Sequence, residues 1–216
     1  MGHLKAIETT YRGHRYRSRL EARWAVFFTT LGIRFEYEKE GYKLGSAGLY
    51  LPDFWLPDQR CWVEIKGEPM ADGEMAKQHA LALHDEHYVF LFEGQIIVPS
   101  EETPPLSARV FLGESTGPYA RPDSDGWRWQ LCPVCRTYAI LPCWAKDSPD
   151  WYCAECDEGP RRAELIALGE WMGYEWHEGE WTTTDIIMRP DLAPSLIGAY
   201  CAASEARFEF GENGAF

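Results

Sequence analysis

Long apolar runs are missing from this sequence. No stretch reaches the roughly 20 residues that a membrane-crossing helix needs, so no membrane partner is expected. Met1 to Lys5 lack the apolar segment of a secretory signal, and a cytoplasmic location is expected. Net positive charge is missing too. The chain carries 21 Lys and Arg against 34 Asp and Glu, a formal charge of −13. That argues against broad, non-specific coating of nucleic acid. There is no base-reading motif such as a helix-turn-helix, no internal repeat and no low-complexity tract. What is present is 216 residues, enough for one domain of moderate size or two small ones, with a 45% hydrophobic fraction that can supply a packed core.

The charge is unevenly placed. Residues 1–66 hold 11 Lys and Arg against 8 Asp and Glu, whereas residues 67–216 hold 10 against 26. Arg12, Arg15, Arg17 and Arg19 cluster near the N-terminus as candidate DNA contacts. The acidic remainder suits a solvated surface, or a docking face for a basic protein partner.

Periodicity predicts a helix over residues 17–32, with Leu20, Trp24, Phe27, Phe28 and Leu31 on one face. Ser18 would cap it, with Glu21 as the partner in a capping box, and Gly32 would stop it. Strict alternation predicts a strand over residues 33–38, a hairpin or loop lies between Gly41 and Gly48, and further strands are expected over 50–56 and 60–66. A helix follows over residues 73–86, with Met75, Ala76, His79, Ala82 and Leu83 on one side. The unbroken apolar run Tyr88–Phe92 predicts a buried strand. Ile96–Val98 and Val110–Leu112 are candidate edge strands. Helices are expected over 161–172 and about 192–207.

Three segments carry the chemistry: Arg17-Ser-Arg-Leu-Glu21, Leu51-Pro-Asp53-Phe, and Val63-Glu64-Ile-Lys66-Gly. Asp53 and Glu64 are hard oxygen ligands suited to Mg²⁺ or Mn²⁺. On a strand, Glu64 and Lys66 point to the same face. Hydrolysis of a phosphodiester requires an activated water, a neutralised phosphate and a stabilised leaving oxyanion, all of which metal ions can provide. Asp53 and Glu64 would hold the metal, with the Ile65 carbonyl as a further ligand. Glu21 would complete the shell. Lys66 would orient the water or neutralise the phosphate, and a lowered pKa would let it act as a base. Glu36 is a further acidic candidate.

These residues, in this order, resemble the PD-(D/E)XK nuclease superfamily. Arg17–Glu21, Phe35–Glu38, Tyr50–Phe54 and Val63–Gly67 are similar to the phage endonuclease I family, which resolves branched DNA. The resemblance covers residues 12–93. Transposase subunits and repair nucleases share such cores, which leaves the subfamily open. The resemblance implies an α/β fold with a restriction-endonuclease-like αβββαβ core and a mixed sheet. It implies a metal-dependent DNA endonuclease acting as a homodimer, with Asp53, Glu64 and Lys66 as the central triad. It also implies a second-helix residue near the metal, for which Lys77 and Gln78 qualify.

Of seven cysteines, Cys132, Cys135, Cys153 and Cys156 form two Cys-x-x-Cys pairs. Such pairs suit one tetrahedral structural Zn²⁺ in a zinc ribbon. The expected organisation is a nuclease core over 1–112, a linker over 113–126, a zinc ribbon over 127–159 and an α-helical extension over 160–216. Two other functions stay open: a catalytically silent zinc-ribbon adaptor for DNA or protein on a nuclease scaffold, and an RNA nuclease.

Overall fold

The computed structural model describes residues 7–70, 75–100, 103, 105–111, 127–131, 137–142, 174–177, 180–183 and 193–208. The four zinc-site cysteines, the 113–126 linker and the 161–172 helix lie outside the described residues.

The chain starts with a hairpin, β1 (Thr9–Tyr11) and β2 (His14–Tyr16), turned at Arg12 and Gly13, both at positive φ. Helix α1 (Arg19–Leu31) follows. The Ser18 side chain accepts the Glu21 amide at 3.1 Å, and Gly32, at φ 69°, closes the other end. Next come β3 (Glu36–Tyr37), the short hairpin β4 (Tyr42–Lys43) and β5 (Leu49–Tyr50), then β6 (Phe54–Leu56) and β7 (Cys61–Lys66). A 3₁₀ turn, Gly45–Ala47, sits at the tip of the β4–β5 hairpin. Helix α2 (Ala76–Asp85) leads into β8 (Tyr88–Glu93), and β9 (Ala108–Phe111) follows. Strands β10 (Trp127–Leu131) and β11 (Tyr138–Pro142), the hairpin β12 (Tyr174–His177) with β13 (Glu180–Thr183), and helix α3 (Pro194–Glu205) complete the described chain.

The fold is α/β around a mixed seven-stranded sheet in the order β11-β10-β9-β8-β7-β6-β3. Strands β7 and β8 run parallel and every other neighbouring pair is antiparallel. α2 is the crossover that a parallel pair requires. Strands β10 and β11, within the stretch expected to be a ribbon, continue the sheet beyond β9.

The two sheet faces differ. On β7, Cys61, Val63 and Ile65 join a cluster with Trp24, Phe27 and Phe28 of α1, Phe54, Phe92, Trp129 and Tyr200 of α3. Phe27 packs on Tyr200 with ring centroids 4.7 Å apart, and Trp24 on Phe92 at 4.7 Å. Trp62, on the opposite face of β7, joins Leu81 and Ala82 of α2 with Val89, Leu91, Tyr50 and Leu44. The apolar run of β8 serves both clusters, which explains its lack of alternation.

Several sequence expectations need correction. The 33–38 strand is reduced to two residues, because Glu38 turns the chain at φ 47°. The 50–56 strand is split. Pro52 has no amide to donate, and the Asp53 amide turns to the Glu64 side chain, so the ladder stops between β5 and β6. Helix α2 buries Gln78, Leu81 and Ala82, while His79 and Leu83 are exposed. Ile96–Val98 form no strand, and Val110 belongs to β9, which pairs with β8 on one side and meets β10 on the other. No helix among the described residues is long and apolar enough to cross a membrane.

Candidate active site

Alternation along β7 puts Glu64 and Lys66 on the α2 face, where an apolar residue would otherwise pack. Asp53, just ahead of β6, reaches the same point. Asp53 is 1% exposed and Glu64 is 3% exposed, so both carboxyl groups are effectively out of water. Buried charges must find partners, and these do. Asp53 Oδ2 accepts the Ile65 amide at 2.8 Å. Its Oδ1 takes the Arg17 guanidinium. Glu64 Oε1 receives Lys66 Nζ at 2.5 Å, and Oε2 receives the Tyr50 hydroxyl at 2.8 Å and the Asp53 amide at 3.3 Å. The two carboxylates therefore sit against each other, with one cation on each.

Burial is the largest influence on Asp53 and pushes its pKa well above the usual carboxylate range. The Glu64 charge and, less strongly, Glu21 push the same way. Lys66 and the Ile65 amide oppose them. The Arg17 contact also works against the rise. For Lys66, burial pulls its pKa down, but Glu64 and Asp53 outweigh this and hold it above its ordinary value. Without a metal, Lys66 is therefore an ammonium donor. Burial and the Glu64 charge raise the Tyr50 hydroxyl, so it stays a proton donor to Glu64.

Glu21 is not part of this pair. It is buried, but its carboxylate accepts the Ser18 hydroxyl at 2.8 Å, the Arg17 amide at 3.2 Å and the Tyr37 hydroxyl at 2.5 Å. It closes the start of α1 in the manner of a capping box, one residue earlier than the usual pattern. Arg17 lies between it and Asp53. Glu36 points to solvent beside Lys39 and does not join the site. Glu38 is the acid from that segment that does, with Oε1 2.6 Å from Arg17 Nε.

Glu64 opens into a cleft of about 670 Å³ lined also by Arg17, Tyr50, Lys66, Lys77 and Gln78, with Leu49, Leu51 and Met70 among its apolar walls, and Asp53 lies buried behind Glu64. Lys77 is exposed at the rim. Gln78 is 2% exposed and lies beside Tyr50, and its Oε1 has no hydrogen-bond partner. Of the candidate DNA contacts, Arg12 and Arg15 lie on the β1–β2 hairpin, where Arg15 is paired with Glu8. Arg17 lies in the site, and Arg19 opens α1.

Among the described residues, no group of three or more His, Cys, Asp or Glu side chains gathers as a metal cluster. Two adjoining carboxylates, of which Glu64 lines the cleft, and the orphaned buried Gln78 oxygen nevertheless fit a hard divalent ion. Mg²⁺ in particular binds through one or two carboxylates and keeps the rest of its shell as water and substrate oxygen. Arg17, Tyr37, Glu38 and Tyr50 were not expected as site residues from the sequence, except Arg17 as a surface contact. Their roles depend on which segments meet, which local periodicity does not encode.

The chain matches no protein-family model, and no curated protein or solved structure matches it.

Proposed function

We propose that this chain is a divalent-metal-dependent endonuclease of the PD-(D/E)XK type. Its substrate would be DNA, with branched, nicked or flapped forms preferred. The observation that carries this reading is the meeting of buried Asp53 with Glu64 and Lys66, the latter two lining one cleft. Asp53 and Glu64 would hold the metal, with the Ile65 carbonyl as a further ligand. The bound ion would supply an activated water and neutralise charge at phosphorus. The Lys66 ammonium would donate hydrogen bonds to the phosphate oxygens or to the attacking water. Tyr50 fixes the Glu64 carboxylate by donating to Oε2, so the carboxylate arrives preorganised. Arg17 and Lys77 add positive charge at the cleft, where a phosphodiester would approach. Cys132, Cys135, Cys153 and Cys156 are proposed to hold a structural Zn²⁺, which the zinc content of purified protein would check.

The test is cleavage of a labelled panel of linear duplex, single strand, nicked circle, flap and four-way junction in Mg²⁺ and in EDTA. Cutting in Mg²⁺ that Lys66→Ala abolishes supports the nuclease. Folded protein that cuts no member of the panel moves the reading to the adaptor.

A further inference from the structure

Arg17 is the unusual partner in this site. Its guanidinium contacts Asp53 Oδ1, while its Nε lies 2.6 Å from Glu38 Oε1 and 4.0 Å from Glu21 Oε2. The side chain of Asp53 is 1% exposed and that of Arg17 is 50% exposed. The carboxylate is out of water and the arginine side chain is half in it. The Arg17 backbone is held in place, since its amide donates to the Tyr37 hydroxyl at 2.9 Å and to Glu21 Oε2 at 3.2 Å. Any movement would therefore be confined to the side chain.

A guanidinium and a divalent cation drawn to one carboxylate oxygen compete for it. In a partly buried site, repulsion between the two charges is poorly screened. An ion that takes Asp53 Oδ1 therefore works against the Arg17 contact there. A second anchor is already beneath the arginine. Glu38 holds the left-handed conformation, at φ 47°, that non-glycine residues rarely adopt, and its amide donates to the Asp53 carbonyl at 2.9 Å. Strain of this kind persists where surrounding structure enforces it, and it often marks functional sites. Here it places the Glu38 carboxylate on Arg17 Nε.

We propose that Arg17 is the resident counter-ion of Asp53. Divalent-ion binding exchanges its guanidinium off Asp53 while Glu38 retains Nε. The freed end of the fork then faces the cleft, which Arg17 lines, and is available to a phosphodiester oxygen. Arg17 thus neutralises the buried carboxylate before the ion arrives and becomes a substrate contact afterwards. This inference rests on the reading of Asp53 and Glu64 as a divalent-ion site.

The test is titration calorimetry of the full chain with Mn²⁺ and with Ca²⁺, comparing wild type, Arg17→Met, Arg17→Lys and Asp53→Asn. Circular dichroism would check that each is folded. Loss of the competing contact should tighten ion binding by about tenfold or more in Arg17→Met. Arg17→Lys keeps the charge but cannot bridge Asp53 and Glu38 as a planar fork, so it should tighten as well. Arg17→Met should also weaken binding of labelled branched DNA in Ca²⁺, opposite in sign to its effect on the ion. Tightening in the methionine variant alone would reduce the effect to net charge and overturn the exchange. Unchanged ion affinity in both variants would overturn it too, while leaving the ion site intact if Asp53→Asn abolishes binding. If neither wild type nor either Arg17 variant binds an ion, the metal-site reading falls and the exchange falls with it.

Discussion

The two faces of the central sheet are built from the same strands and do opposite things. On β7, the residues facing α1 and α3 are Cys61, Val63 and Ile65; those facing α2 are Trp62, Glu64 and Lys66. The first face is closed by aromatic packing, with Trp24, Phe27, Phe28, Phe54 and Trp129 all fully buried. The second carries an apolar patch at one end and buried ionisable groups at the other. A strand buried on both sides would be most stable with apolar residues throughout. Two carboxylates, a lysine and a glutamine on the second face weaken packing there, and the aromatic face compensates. The comparison teaches that stability and chemistry are divided between the two faces, so substitutions on each should have separable effects.

The largest effects test that division directly. Lys66→Ala should lower cleavage by at least about 10³-fold, or roughly 4 kcal/mol of transition-state stabilisation, with a smaller loss of stability than Phe28→Ala, because Glu64 loses its cation but keeps the Tyr50 hydroxyl and the Asp53 amide. Phe28→Ala should do the reverse. Removing a ring at 0% exposure that packs on Trp24, Phe54 and Trp129 should cost about 3–5 kcal/mol of stability. Cleavage per folded molecule should stay near wild type. Activity assays and urea denaturation on both variants check this. Equal loss of stability in the two would break the division.

An intermediate effect of unusual sign is expected at Asp53. Folding raises its pKa, first through burial and then through the Glu64 charge. A carboxyl with a raised pKa binds its proton more tightly in the native state than in the unfolded chain. Its contribution to stability therefore falls as pH rises above the ordinary value of 3.8 towards the folded value. Asp53→Asn removes that penalty. In EDTA at neutral pH it should be more stable than wild type, the gap closing as pH falls towards 4. Melting curves across pH measure this. A destabilised variant would mean that the Arg17 contact outweighs the burial cost.

Much of the aromatic face was legible in the sequence, because it follows local rules. The three- and four-residue spacing of Leu20, Trp24, Phe27, Phe28 and Leu31, with Ser18 and Gly32 at its ends, marks α1 to within a residue or two of Arg19–Leu31. The apolar run at β8 and the alternation of β7 were legible for the same reason. The site face was legible only in its strand residues. Glu64 and Lys66 share a face by period two, and Asp53 follows a proline that breaks the ladder. Glu36 and Glu38 would share a face on a regular strand, but the turn at Glu38 separates them, and only Glu38 reaches Arg17. Hydropathy set Gln78 outside the buried side of α2, because an amide scores as a surface residue. It is buried because it stands beside Tyr50 at the cleft, a contact between segments 28 residues apart in sequence. Arg17 appears in the sequence as one of several clustered arginines, and no local signal distinguishes the one that meets Asp53.

The smallest expected effect lies where the two faces meet, at the start of α1. The helix belongs to the aromatic face, yet the residues just before and within its first turn, Arg17 and Glu21, border the site. Ser18 ties them together. Its hydroxyl oxygen accepts the Glu21 amide at 3.1 Å and its proton is donated to Glu21 Oε1 at 2.8 Å. Ser18→Ala removes both bonds and should cost about 1 kcal/mol, the usual worth of a helix N-cap. The urea midpoint should drop with no change in the slope of the unfolding transition. Cleavage should fall far less than in Lys66→Ala, because Glu21 keeps the Arg17 amide and the Tyr37 hydroxyl as partners and is not one of the carboxylates on the cleft floor. If cleavage instead fell as steeply as in Lys66→Ala while stability held, Glu21 would have to act on the reaction itself. The boundary between the stabilising face and the chemical face would then run through α1 rather than along the sheet.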